Sequence, residues 1–255
     1  MATSMGGPVN PFVNLGDFEL AHLLGQLVKI PEADSPWTLP DSGDALKLVA
    51  ADFEAAAKEL GVEAAAVHAV AEVESGGRTG FDKQDRPKIL FETHHFRKHT
   101  NGAYNTSHPD LSAPFKSELQ RASYKKNQWD VIRAAFILDP DAAVKSASWG
   151  MFQVLGSNAA DAGWKSLEQF VKDMFYSEGQ HMRVFLGFCK ANHLTRHLVS
   201  KDWAAFARGY NGPSYAENNY DTKMANAYAR YSGQAVGGPP KTSGHPTHRR
   251  HRRRR

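Results

Sequence analysis

From about residue 45 onward, apolar residues recur three and four positions apart, the spacing that gives a helix one buried face. Ser42 or Asp44 offers an N-cap for a first long helix running to Leu60, and Gly61 stands where a left-handed C-cap is needed. A second helix is predicted from Val62 to Glu74, with Val67, Val70 and Val73 as its spine and Ser75-Gly76-Gly77 as its stop. Between Phe81 and Glu92 the period changes. Lys83 to Pro87 is a polar turn and Lys88 to Glu92 is β-compatible, which predicts a small hairpin. After a loop-rich stretch from Thr100 to Pro114, helical periodicity returns in Gln128–Leu138, Ala142–Ser146, Gly150–Leu155, Leu167–Cys189, Lys201–Tyr210 and Ala216–Tyr231. No internal repeat is visible. The expected class is α+β, predominantly α, with a small β-hairpin or sheet beside the second long helix.

The two ends differ from this body. Residues 1–14 hold Gly6, Gly7, Pro8 and Pro11 and read as a lead-in, followed by one short amphipathic helix around Leu15 to Leu27, which Pro31, Pro36 and Pro40 end. Gly237-Gly238-Pro239-Pro240 opens a low-complexity tail at the other end. The expected organisation is a lead-in over 1–44, one domain over 45–233 and a flexible Arg/His-rich tail over 234–255.

Charge sharpens that division. The net charge is +4, but residues 237–255 hold Lys241 and six arginines with no acid, leaving 24 Lys and Arg against 27 Asp and Glu in the rest. The chain is thus a slightly acidic body carrying a cationic appendage. Clustered arginines bind polyanions, so nucleic-acid binding through the tail is one reading. The acidic body offers no basic face with interleaved aromatics, so specific nucleic-acid recognition is not expected. The phosphate-rich lipopolysaccharide of Gram-negative bacteria is the better partner for the tail.

Cys189 is the only cysteine, which excludes an internal disulfide and a cysteine-based zinc site; it sits in the apolar run Val184 to Cys189 and reads as a buried small residue. No Lys or Arg precedes Lys29 and Gly25 and Gln26 interrupt the first apolar stretch, so neither a secretory signal nor a membrane span is expected. The expectation is a monomer made in the cytoplasm.

Glu74 carries the sharpest chemical signal. A carboxyl at the end of the apolar helix Ala69-Val70-Ala71-Glu72-Val73-Glu74 is partly desolvated, which raises its pKa toward that of a general acid working near neutrality. Ser75-Gly76-Gly77 then leaves room beside it for a substrate. Two further segments share its character: Ser146 to Val154, a small-residue turn read as a helix start with Gln153 buried, and Phe206 to Pro213, which puts Tyr210-Asn211 at a helix end.

Glu74-Ser75, then Ser148-Trp149-Gly150-Met151-Phe152-Gln153, then Tyr210-Asn211-Gly212 resemble, in this order, the goose-type lysozymes and lytic transglycosylases. The fuller stretches Ala69–Gly77, Ile89–Phe96 and Asp202–Gly212 look like the phage endolysin N-acetylmuramidase family, a resemblance covering about 70% of the chain from Leu48 to Tyr231. It implies a lysozyme-like fold that cleaves the β-1,4 bond between N-acetylmuramic acid and N-acetylglucosamine in peptidoglycan, with Glu74 as general acid. It also implies a phage enzyme that accumulates in the host cytoplasm and reaches the wall, in the periplasm, through a lesion made by another phage protein.

Glycoside hydrolysis normally employs a second carboxylate. Glu92, ending an apolar strand, is favoured, Asp82 is second, and Asp85 reads as a turn residue. The resemblance makes Ser75, Gln153, Tyr210 and Asn211 substrate-binding, while Trp149 either stacks on a sugar or fills core. No cofactor or metal is expected. A zinc amidase built on His94, His95, His99 and His108 is a weaker reading, because no His-Glu-x-x-His string exists. The nearer alternative is a lytic transglycosylase, which needs the same acid but forms 1,6-anhydro products.

Overall fold

The structure is a computed structural model and describes residues 37–233. The helix expected around Leu15 to Leu27 and the cationic tail lie outside the described residues.

Helix α1 spans Ala50–Leu60 and ends at Gly61, whose φ of 66° is the left-handed cap its sequence position promised. It starts later than Ser42 or Asp44. The preceding segment is not helical: Ala45 turns through left-handed backbone (φ 49°), and the Ala45 and Leu46 amides donate to the carbonyls of Phe175 and Tyr176 at 3.3 and 3.1 Å. At Gly43 a Cβ would fall 2.3 Å from the Phe175 carbonyl oxygen, so only glycine lets the two backbones approach. Helix α2, Ala64–Ser75, carries Glu74 in its last turn and ends at Gly76 (φ 61°).

The small sheet differs from the expected hairpin. Phe81 to Pro87 closes through a single bridge, and the sheet proper has three antiparallel strands in the order β1 (Ile89–Phe91), β2 (Ala147–Trp149), β3 (Val154–Leu155). Ile89 faces Trp149 and Phe91 faces Ala147. Gly150–Leu155 is therefore the turn and second arm of a hairpin, not a helix. Gly150 (φ 69°) and Gln153 (φ 50°) both adopt left-handed backbone, which interrupts any right-handed helical run.

Helices α3 (Thr93–His99) and α4 (Glu118–Ser123) follow β1, then α5 (Gln128–Leu138) and α6 (Pro140–Lys145) lead to β2. Asn127 caps α5 and Asp139 caps α6 through their side-chain oxygens, and Pro140 takes the first helical position. The long helix expected over Leu167–Cys189 is two: α7, Leu167–Tyr176, and α8, Glu178–Ala191. Ser177 between them is extended because it bridges Leu46, and its hydroxyl caps α8 by accepting from the Gln180 amide. Helices α9 (Thr195–Ser200), α10 (Trp203–Asn211) and α11 (Tyr220–Tyr231) complete the chain. A 3-10 turn over Pro213–Asn218 replaces the first part of the helix expected from Ala216, and Asn219 (φ 52°) separates it from α11.

The core explains why α2 can carry a carboxyl so deep. Ala66, Val67, Ala69 and Val70 are fully buried, and α11 packs along the helix, burying Met224 and Ala227. Small residues on α2 let its neighbours close in. Trp149 sits at the centre of the core, edge-on to Trp129 and Phe170 with centroids 6.0 and 5.8 Å away.

Candidate active site

A cleft of about 590 Å³ opens between the end of α2, the three-stranded sheet and the loop after α10. Glu74, Glu92, Gln153, Tyr210 and Asn211 all line it, so five of the eight site residues expected from the sequence converge.

Glu74 keeps a partial opening to solvent, yet its carboxyl is enclosed. Burial pushes its pKa up to about 7, against the opposing pull of the Asn211 amide, which donates to Glu74 Oε1 at 3.0 Å. An acid with this pKa is substantially protonated near neutrality and still able to give up its proton, as a general acid must. Asn211 Oδ1 is buried and has no hydrogen-bond partner among the described residues, so this amide faces the cleft with unspent acceptor capacity.

Glu92 lies between β1 and α3. Burial raises its pKa as well, and the hydroxyls of Tyr124 and Ser148 beside it oppose that shift. Ser148 is on β2, directly across the sheet from Leu90, so the strand register brings a hydroxyl to the carboxyl. Glu74 and Glu92 thus line one cleft, both biased toward protonation.

Gln153 spends its amide NH2 on the carbonyls of Gly150 and Lys88, at 2.8 and 3.3 Å, leaving its carbonyl oxygen for a ligand. Tyr210 donates its hydroxyl to the Phe152 carbonyl at 2.7 Å and stacks on Phe206, centroids 5.5 Å apart, so it offers the cleft a fixed ring face. These are features that bind sugars: amides for N-acetyl groups and a flat apolar surface.

Three expected site residues stand elsewhere. Trp149 is fully buried and its Nε1 donates to the Val144 carbonyl at 3.1 Å, so it fills core and cannot stack on a sugar. Asp82 closes the 82–86 turn, accepting from the backbone amides of Gln84 and Arg86 and pairing with the Arg86 guanidinium at 2.8 Å. Its carboxylate is occupied by that turn and lies outside the cleft lining, which removes it as second carboxylate. Ser75 donates its hydroxyl to the Ala71 carbonyl at 2.6 Å and lines a different groove.

The sequence reading missed Tyr215 and Tyr220, which the turn after Gly212-Pro213 brings to the cleft. It also missed the support beneath. Glu178, buried at the start of α8, accepts from the Thr79 hydroxyl (2.6 Å), the Gly80 amide (2.7 Å) and the Leu48 amide (3.0 Å). One turn on, the buried His181 ring accepts from the Met151 amide through Nδ1 and donates to the Met174 carbonyl through Nε2. Burial holds its pKa down to about 4, so it is neutral, consistent with these two roles. Gly80 and Gly150 both press on this ring, since a Cβ at either would lie 2.6 Å from it. The loop leaving Glu74 and the β2–β3 turn therefore rest on the same helix.

Glu92, His94 and His95 bring one potential ligand atom each within 4.8 Å of one another. The donor set fits a metal poorly. The Lys116 amide fixes the Gln120 side chain so that its NH2 points to His94 Nδ1 at 2.6 Å, and this places the His94 proton on Nε2 and occupies the lone pair facing Glu92.

The family model for N-acetylmuramidase matches residues 63–232. Among solved structures, the chain is similar to the crystal structure of a Burkholderia AP3 phage endolysin, with 34% identity, 78% of this chain and 74% of that one covered, and a TM-score of 0.66. No curated protein sequence matches significantly.

Proposed function

The chain belongs to the N-acetylmuramidase family, and from that premise we propose that it is a phage endolysin hydrolysing the β-1,4 bond from N-acetylmuramic acid to N-acetylglucosamine in peptidoglycan. The observation that carries this reading is the pairing, in one cleft, of an acid with a pKa of about 7 with a second, half-buried carboxyl. Glu74 gives its proton to the glycosidic oxygen as the bond to the leaving sugar breaks. Glu92 orients water and takes a proton from it as it attacks the anomeric carbon. Asn211 holds the Glu74 carboxyl in place, and Gln153 with the ring face of Tyr210 seats the sugars.

Lytic transglycosylation would need only the acid, because the muramic 6-hydroxyl replaces water. The presence of Glu92 supports hydrolysis. Mass spectrometry of digested peptidoglycan tests this: hydrolysis yields reducing ends, and a product lighter by one water overturns it. Loss of cleavage in Glu74→Gln is expected, and unchanged cleavage would remove the mechanism. The protein works as a monomer, reaching the periplasmic wall from the host cytoplasm through a lesion made by another phage protein. Its Arg/His-rich tail adds contact with anionic lipopolysaccharide. Removing residues 237–255 leaves cleavage of purified peptidoglycan intact and reduces killing of Gram-negative cells from outside; equal killing by both forms refutes the tail's role.

A further inference from the structure

A second groove, of about 680 Å³, lies on the other side of the end of α2 and is larger than the cleft itself. Sequence neighbours on three elements divide between the two concavities: Glu74 and Tyr220 with Gln153 face the cleft, while Ser75 and Lys223 with Met151 line the groove. The groove thus begins one residue past the acid.

Its chemistry is cationic and aromatic. Arg78, Lys223 and Arg230 line it against one acid, Glu72, which pairs with Arg230. Arg78 and Lys223 are exposed and neither forms an ion pair among the described residues. The floor is a stack in which the His68 ring lies between Phe53 and Tyr231, at centroid distances of 3.7 and 4.7 Å. Two cations without carboxylate partners, Arg78 and a Lys223 whose ammonium sits 5.8 Å over the Tyr220 ring, in one groove with an aromatic stack suit an extended peptide bearing carboxylates, because the charges fix its acids while the rings cover its backbone.

We infer that this groove receives the carboxylate-bearing peptide stem of the muramic acid whose glycosidic bond lies at Glu74, an inference that rests on the muramidase reading above. The substrate's covalent structure places the stem there. The bond broken is at C1 of muramic acid and the stem leaves C3 of the same sugar, so a stem must emerge within about one sugar width of the acid. Arg78 and Lys223 are then specificity-determining residues that favour stem-bearing glycan over bare glycan.

The test compares kcat/KM on soluble glycan strands carrying their stems with the same strands after an amidase has removed them. Wild type prefers the stem-bearing strands, and the preference weakens as salt rises. In Arg78→Gln/Lys223→Gln the preference falls about 5-fold, the scale of two exposed charge contacts, with the loss in KM on stem-bearing strands and stripped strands serving as internal reference. An equal loss on both substrates, or no change on either, overturns the groove's role. Failure of the wild type to cleave either substrate overturns instead the muramidase reading, and this inference with it. Unchanged thermal midpoints separate a lost contact from a misfolded variant.

Discussion

Replacing Glu74 by Gln should make the protein more stable while removing its activity, and the gain should depend on pH in one particular way. The Glu74 carboxyl titrates at about 7 in the folded chain and at 4.5 when unperturbed. Below pH 4.5 it is neutral in both states and costs nothing. As pH rises from 4.5 to 7 the unfolded chain releases its proton while the folded chain retains it, so stability falls, and above 7 a charge must be held in a desolvated pocket. The 2.5-unit difference corresponds to about 3 kcal/mol at 1.36 kcal/mol per unit, an upper figure because the residue retains some solvent access. Gln fills the same space, accepts the same Asn211 hydrogen bond and never ionises. Thermal unfolding should therefore show a midpoint up to about 6–12 °C higher for Glu74→Gln at pH 8, at roughly 2–4 °C per kcal/mol for a domain of this size, and no difference at pH 4. A variant no more stable than wild type at pH 8, or equally stabilised at both pH values, would show that ionisation of this carboxyl is not what the fold opposes.

Three further outcomes follow from the same geometry. The alkaline limb of kcat/KM should lie near pH 7 and move upward by about half to one unit in Asn211→Ala, because the lost hydrogen bond favoured the charged form; a downward shift contradicts the assignment. Asp82→Asn should keep its cleavage rate and lower only the thermal midpoint, whereas Glu92→Gln, which removes another carboxyl whose charge burial disfavours, should not lower its midpoint and should lose hydrolysis by at least about 100-fold, measured as reducing ends released from purified peptidoglycan. Glu178→Ala orphans three donors at once, so it should cost about 3 kcal/mol or more and lower the midpoint without altering the pH of the limb.

The helix that carries Glu74 in its last turn was legible because its signals are local: an apolar spine, then glycines at the stop. Glu92 was legible for the same reason, as a lone acid after Ile89-Leu90-Phe91. What escaped was long-range. The β2–β3 arms are three and two residues long, and β2 pairs with a strand nearly 60 positions earlier, so no window of sequence contains the sheet. Trp149 beside Gly150 had the look of a sugar platform, and only the packing of Trp129 and Phe170 around it shows a core residue. The periodicity of α7 runs on into α8 because both bury the same side, and the break at Ser177 is imposed by a segment 130 residues away. Glu178 looked like an ordinary first-turn acid, since its partners at Leu48 and Gly80 lie far back in the chain.

The His181 ring has a consequence for how this enzyme can change. Because Gly80 touches one side of it and Gly150 another, the loop that leaves Glu74 and the turn that carries Gln153 share a single bearing. Substitutions on the loop after Glu74 and on the β2–β3 turn should not add independently, since each moves the seat of the other. The gauge of the slot is then inherited as one unit, and adaptation to walls of different composition has its freedom outside it, among exposed side chains such as Arg78 and Lys223 that no buried partner restrains.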